Sequence, residues 1–369
     1  MQRKPLRLSL ALLCASSALT LGCYGNSHES DANPNKPDRY QPTQAQSNSE
    51  TRDTTAKEHV VESTPIDPAL SEQLKEADNT FRTGKYAEAL ELYKALANEA
   101  EVAGQVSIQM EALAQCARMV SLTSRDFEAC AEYLSQVESA GNDTYPSGWS
   151  RYLGVRGIYE RELGQQEKCI ATFAEMRDYC KAHDLPGRAV DAIHHMALAA
   201  PLTEQPKYAL EAIDIAEHGT DETRRWLGPL WNNLGNTYHD LGVYEEALKA
   251  FEKAKYYHGL GEREMPKMMA DWAVARALRM VGSVGKAEAM LKETQAWAER
   301  LREGEGGKQA YEFIGMCKQE LGGIEADRGN KNEALKLLQE ARAIYVEVGY
   351  PQNWPEGMEI IDAQIASLR

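Results

Sequence analysis

Seven times along this chain of 369 residues, a turn is followed at fixed distances by a small residue and then a large one. With Gly84, Arg125, Gly164, Glu204, Gly242, Gly282 and Gly329 as anchors, five residues on come Ala89, Cys130, Cys169, Ala209, Ala247, Ala287 and Ala334. Nine residues on come Tyr93, Leu134, Phe173, Ile213, Phe251, Leu291 and Leu338. Seven before the five glycine anchors stand Ala77, Gly157, Gly235, Ala275 and Gly322. Residues three and four apart share a helical face, so each anchor joins two antiparallel helices. The small residues are expected where the helices cross closely, with the large ones filling the wider ends. One hairpin cannot bury its own apolar face, so the units must stack. The second unit departs from the pattern with Arg118 at its small site, and the fourth with the proline-interrupted turn "APLTEQPKY". No segment alternates apolar and polar residues with β-branched enrichment, so the reading is all-α.

The fifth unit is the clearest. In "LWNNLGNTYHDLGVYEEALKAFEKA", Trp231, Leu234, Gly235 and Tyr238 mark the first helix, and Ala247, Phe251 and Ala254 the second. These residues resemble the tetratricopeptide repeat, and the match spans residues 228 to 261. The resemblance implies a TPR-type α-solenoid, a right-handed superhelix of about seven hairpins over residues 69–350, closed by a capping helix at 351–369. Trp354, Met358, Ile361 and Ile365 would cover the last unit. Successive anchors are 41, 39, 40, 38, 40 and 47 residues apart, against the usual spacing of about 34. The helices should therefore be longer than average, and the widest gap contains the glycine-rich "REGEGGKQ" at 302–309.

The first residues follow a different logic. Arg3, Lys4 and Arg7 precede a mostly apolar run from Leu8 to Leu21 that ends in Gly22-Cys23, the pattern of an export signal too short to span a bilayer as a mature helix. A small residue before cysteine resembles the lipobox of bacterial lipoproteins, although Thr20 stands where that motif usually has leucine. The resemblance implies removal of residues 1–22, acylation of Cys23, and an outer-membrane location, since Tyr24 is not the aspartate that retains some lipoproteins at the inner membrane. Residues 23–68 are polar and proline-containing and read as a flexible tether with a reach of about 40 Å. Ser71 is a candidate cap for the first helix.

Net charge is −15, most of it on the repeats. An acidic solenoid has no phosphate-binding footprint, which argues against nucleic acid and against adhesion of the repeats to anionic lipid. Beyond Cys14 and Cys23, the cysteines are Cys116, Cys130, Cys169, Cys180 and Cys317. Cys130 and Cys169 stand at the small site and read as buried hydrophobes. Cys169 and Cys180 are about 16 Å apart along one helix, too far for a disulfide. Cys116 and Cys130 face each other across a hairpin, and their pairing stays open.

No zinc, phosphate-loop, dinucleotide or nucleophile-elbow motif occurs. The adjacent His194 and His195 diverge by about 100° on a helix, and no metal, cofactor or catalytic set is expected. What remains is the face of the first helices opposite the packing stripe. The fifth unit places Asn232, Asn236 and His239 there, the sixth Trp272, Arg276 and Arg279 in the same register, and earlier units Arg151, Arg161 and His194. Asparagine can grip a peptide backbone, arginine a carboxylate, and tryptophan a cationic or apolar group. Resemblance to the repeat family implies a groove for extended peptides or partner helices. The set resembles in part the clamp by which some members hold a terminal carboxylate, without its lysines. Two functions follow from these resemblances. One is a lipid-anchored interaction scaffold of the bacterial envelope; the other is a sensory or regulatory module for a peptide or small ligand.

Overall fold

In the computed structural model, residues 65–303 and 307–369 are described. Cys23, the signal segment, the tether up to residue 64 and the centre of the 302–309 loop lie outside them. The described residues contain no strand, and no helix among them is long and apolar enough to cross a membrane.

Seven hairpins follow in chain order: α1 (Pro68–Arg82) with α2 (Tyr86–Val102), α3 (Val106–Ser124) with α4 (Phe127–Ala140), and α5 (Pro146–Glu162) with α6 (Gln166–Ala182). Next come α7 (Pro186–Ala199) with α8 (Gln205–His218) and, after the short α9 (Asp221–Arg224), α10 (Leu227–Asp240) with α11 (Tyr244–Gly259). The last two are α12 (Glu264–Met280) with α13 (Val284–Arg302), and α14 (Gly307–Asp327) with α15 (Lys331–Glu347). A single turn, α16 (Tyr350–Asn353), leads to α17 (Pro355–Leu368), which packs on α15 and buries Trp354, Met358, Ile361 and Ile365. The first helix begins earlier than Ser71 implied: Asp67 is its cap, with Oδ1 accepting from Ala69 N at 2.8 Å ahead of Pro68.

The hairpin turns show why glycine recurs. Gly84, Gly164, Gly242, Gly282 and Gly329 all have φ between 72° and 83°, and the next residue closes the helix end by donating to a carbonyl five back, as Val243 N does to Tyr238 O at 2.9 Å. Arg125 adopts the same left-handed conformation, φ 53°, so the second unit makes this turn without glycine. The fourth does not. Ala200 is extended, and the Gln205 side chain donates to its carbonyl at 3.1 Å.

Inside the hairpins the small site of the first helix also receives the large residue of the second. A Cβ on Gly235 would lie 2.5 Å from the Phe251 ring, and one on Gly157 would lie 2.7 Å from the Phe173 ring. The glycine of the first helix is thus the seat for the large residue of the second. Shape complementarity of this kind makes the register unique, because slipping a turn leaves the ring without a seat. At Arg118 the seat is filled by a side chain that leaves the hairpin to pair with Glu162 of the next unit, Nη1 to Oε1 3.0 Å.

Stacking mostly runs from the second helix of one unit to the first helix of the next, as α2 on α3, α6 on α7 and α13 on α14. Between the second and third units it runs chiefly from α3 to α5. Met110 of α3 explains this: a Cβ on Gly141 or Gly148 would come within 2.7 Å of its side chain, so the two glycines let α5 close directly on α3.

Candidate functional site

The first helices line one face, and its two halves are built differently. In units one to four the charged groups are consumed within the chain. Glu111 on α3 is held by two arginines from later units, Arg151 Nε at 3.3 Å and Arg188 Nη2 at 2.6 Å, both on Oε2. Arg151 also approaches Asp78 Oδ2 on α1 at 3.7 Å, and Asp78 Oδ1 accepts from Gln115 Nε2 at 3.1 Å and Tyr93 OH at 2.5 Å. Arg188 further donates to Ser150 Oγ at 2.8 Å. Burial opposes ionisation of Glu111, but Arg188 and Arg151 outweigh it and hold its carboxyl below the usual range.

Deeper in the same half, His195 Nδ1 lies 3.3 Å from Arg161 Nη1 and Nε2 lies 3.6 Å from Asp191 Oδ1. A guanidinium only donates, so Nδ1 is the acceptor and the ring proton sits on Nε2, facing Asp191. The ring stacks on Phe173 at 4.8 Å and 15°. The His194 ring lies between His195, at 5.4 Å and 52°, and Trp226, at 5.8 Å, with Nδ1 3.5 Å from Asn233 Nδ2. Burial, helped by Arg161, pushes both histidines down, His194 to about 4, so both are neutral near pH 7.

Units five and six differ. Arg276 on α12 is buried and stacks over Trp272 at 4.8 Å and Phe251 at 5.6 Å. Its Nη2 donates to Asn236 Oδ1 on α10 at 2.8 Å, Nε has no partner, and it makes no ion pair among the described residues. Burial lowers its pKa, partly offset by the more distant Glu320 and Asp240. One turn along, Arg279 is ion-paired with Glu320 at 3.0 Å and Asp327 at 2.9 Å, lying across Gly323 of α14, where a Cβ would meet it.

The residues expected on a solvated groove face are therefore distributed otherwise. Asn232, His194 and Trp272 are only 3%, 4% and 8% exposed and Arg276 only 5%. Asn232, His194 and Trp272 stand ten residues before their anchors, a position that packs against the neighbouring unit rather than facing solvent. Arg151 is tied to Asp78 and Glu111, Arg161 faces His195, and Arg279 is tied to Glu320 and Asp327. His239 lies 3.6 Å from Asp240 and edge-on to Tyr244. The structure unites Asn236, Trp272 and Arg276, and of these Asn236 is the one that stays half-exposed. Sequence reasoning missed Glu111, Arg188 and Asp191 as members of the network. Arg188, Asp191 and His195 do share a face of α7 at intervals of three and four, a signal that could have grouped those three but not Glu111. All five later cysteines are buried and free, so Cys116 and Cys130 are not bridged.

These features define a tetratricopeptide-repeat solenoid. The tetratricopeptide repeat profile matches residues 232–256 and 315–348, in the fifth and seventh hairpins. Among solved structures, the apo form of RapI is similar with a TM-score of 0.59 at 12% identity, over 76% of this chain and 77% of that one. PH0952 from Pyrococcus horikoshii is a signal-transduction ATPase with numerous domains and a tetratricopeptide repeat sensor. It is similar with a TM-score of 0.59 at 15% identity, over 81% of this chain and 44% of that one. At these identities the likeness is one of fold. No curated protein sequence matches the chain.

Proposed function

We propose that the chain is a non-catalytic interaction scaffold, held at the bacterial envelope by an acylated Cys23, that grips a protein or peptide partner on the first-helix face of units five and six. The observation that carries the reading is the contrast between the two halves of that face. Arg118, Arg151 and Arg188 each hold a carboxylate of the chain itself, whereas Asn236 is half-exposed, with its amide nitrogen uncommitted beside a buried arginine. The network in units one to four would fix the array, as the Arg279 pairs with Glu320 and Asp327 would fix the sixth unit on the seventh, and the Asn236 amide, whose nitrogen has no partner among the described residues, would meet the partner. The amino-terminal pattern ending in Gly22-Cys23 and the polar tether support placement of the repeats off a membrane surface, with the outer membrane proposed.

Two measurements test this. Cys23→Ser should abolish lipid labelling and move the protein from the membrane to the soluble fraction; retention in membranes after a high-salt wash would remove the anchor. Crosslinking of the intact protein in envelope membranes, followed by purification, should recover a partner in stoichiometric amount, crosslinked to α10 or α12. Crosslinks confined to the second helices or the tether would overturn the assignment of the face.

A further inference from the structure

Charge pairs bind the array into two bodies. In the first, Glu111 takes Arg151 and Arg188 from the third and fourth units, Arg151 also approaches Asp78 of the first unit, and Lys181 on α6 meets Glu211 on α8 at 3.0 Å. In the second, Lys255 on α11 meets Asp271 on α12 at 2.9 Å, and Arg279 on α12 holds Glu320 and Asp327 on α14. Hydrogen bonds of a weaker kind cross from the fourth unit to the fifth. Thr237 Oγ1 on α10 donates to Gln205 Oε1 on α8 at 3.0 Å, while Asn233 Nδ2 with His194 Nδ1, and Tyr257 OH with Glu217 Oε1, stand at 3.5 Å. None of these three is an ion pair.

The apolar core divides at the same place. Ala189, Ala192 and Met196 of α7 pack with the first three units, whereas Val190 and Ile193 of that helix pack with Ala212, Leu230 and Leu234 in a separate cluster between the fourth and fifth units. Phe251 and the buried residues of the later units form a third. The half-buried Tyr208 and Tyr238 join the middle cluster to its two neighbours. Between α7, α8 and α10 lies a partly open hollow of about 20 Å³, with His194, Gln205, Asn233, Asn236 and Thr237 on its polar side and Ala209 on its apolar side. That is room for one water with several polar partners. A close-packed interior transmits strain, and a hollow at a helix junction gives it slack. The connection from α8 to α10 also carries a short helix of its own, α9.

We propose that the solenoid bends at one place, the junction of the fourth and fifth units, so that units five to seven turn as one body against units one to four. Shifting α10 over α7 and α8 exchanges weak hydrogen bonds beside a hollow that a water can enter. Bending within either body must instead part a carboxylate from its arginine, at Glu111 in the first and at Glu320 in the second. The junction is therefore a hinge between two stiffer pieces. It sets the angle between the first-helix faces of the two bodies, whatever partner those faces take.

The test uses the full chain carrying Cys14→Ser and Cys23→Ser, with pairs of nitroxide labels on introduced cysteines and distances read by double electron–electron resonance. The five other native thiols are buried. Three pairs of exposed positions, each two units apart, are compared: Ala87 with Glu175 in the first body, Lys253 with Gln339 in the second, and Glu175 with Lys253 across the junction. The distance distribution across the junction should be roughly twice as wide as either of the others. Thr237→Val removes the bond to Gln205 and should widen it further while leaving the pair at Ala87 and Glu175 unchanged. Ala209→Leu fills the hollow and should narrow it, with Ala209→Val as the milder filling where leucine does not fold. Three distributions of equal width, or a wider one inside either body, would overturn the proposal. So would a junction distribution that neither Thr237→Val nor filling of the hollow alters.

Discussion

Arg188 on α7 reaches back across α5 to Glu111 on α3, Nη2 to Oε2 2.6 Å, joining residues 77 positions apart in three successive units. Arg151 of the intervening unit contacts the same carboxylate oxygen. Nearest-neighbour stacking alone would give a solenoid that flexes unit by unit. This shared acid ties the second, third and fourth units into one block.

Removing the acid leaves two arginines buried without it. Glu111→Ala should destabilise the protein by about 3 to 5 kcal/mol, the usual cost of breaking a buried pair from one side. Glu111→Gln, which keeps one acceptor, should cost less. Chemical denaturation monitored by circular dichroism checks both, and a loss below about 0.5 kcal/mol for the alanine variant would show that the network bears no strain of the array.

The seating of Phe251 over Gly235 makes a paired prediction. Gly235→Leu should cost about 1 to 3 kcal/mol by overpacking, although glycine itself is a poor helix former. In the Phe251→Ala background the same leucine should cost much less, because it occupies the space the ring vacates. The coupling is read from a double-mutant cycle, and strict additivity of the two changes would contradict the seating.

Two groups give opposite dependences on pH. Burial pushes the Asp191 carboxyl up to about 6 despite Arg118, Arg151, Arg161 and Arg188 around it, with His195 facing it on the same helix. The folded state then holds this proton more tightly than the unfolded state. Asp191 therefore costs stability above that pH, and the cost disappears as pH falls toward the unfolded value of 3.8. Asp191→Asn should accordingly raise the melting temperature at about pH 7.5 and give no gain at about pH 3.5. Neutral His194 acts in reverse: its contribution is complete above 6.5 and is lost as pH falls from there toward about 4. His194→Gln should flatten the acid limb of the stability profile, and an unaltered limb would argue that the histidine is not held neutral by the fold.

The cysteines should be inert in the native protein. Burial pushes the thiols of Cys116, Cys130 and Cys180 up to about 12 and that of Cys169 to about 11, and raises Cys317 as well. In protein lacking residues 1–23, a maleimide should label none of the five before unfolding and all of them after. Rapid native labelling of Cys116 or Cys130 would mean that the second hairpin opens readily.

The sequence by itself determined the hairpins. The anchors, the small and large sites around them and the covering residues Trp354, Met358, Ile361 and Ile365 all act within one or two neighbouring helices, where helical spacing converts position into contact. Even Arg125, without a glycine, adopts the left-handed turn that its place in the series requires. Tertiary structure alone decided which polar residues face solvent. Asn232 and Trp272 share a repeat position with His194, and all three are buried because neighbouring units pack over that position, a consequence of how the units stack and not of any one helix. The partners of Glu111 lie 40 and 77 residues away in Arg151 and Arg188. Periodicity carries no information about such pairs, because a charged residue on a first helix reads the same whether it meets water, a partner protein or an acid two units earlier.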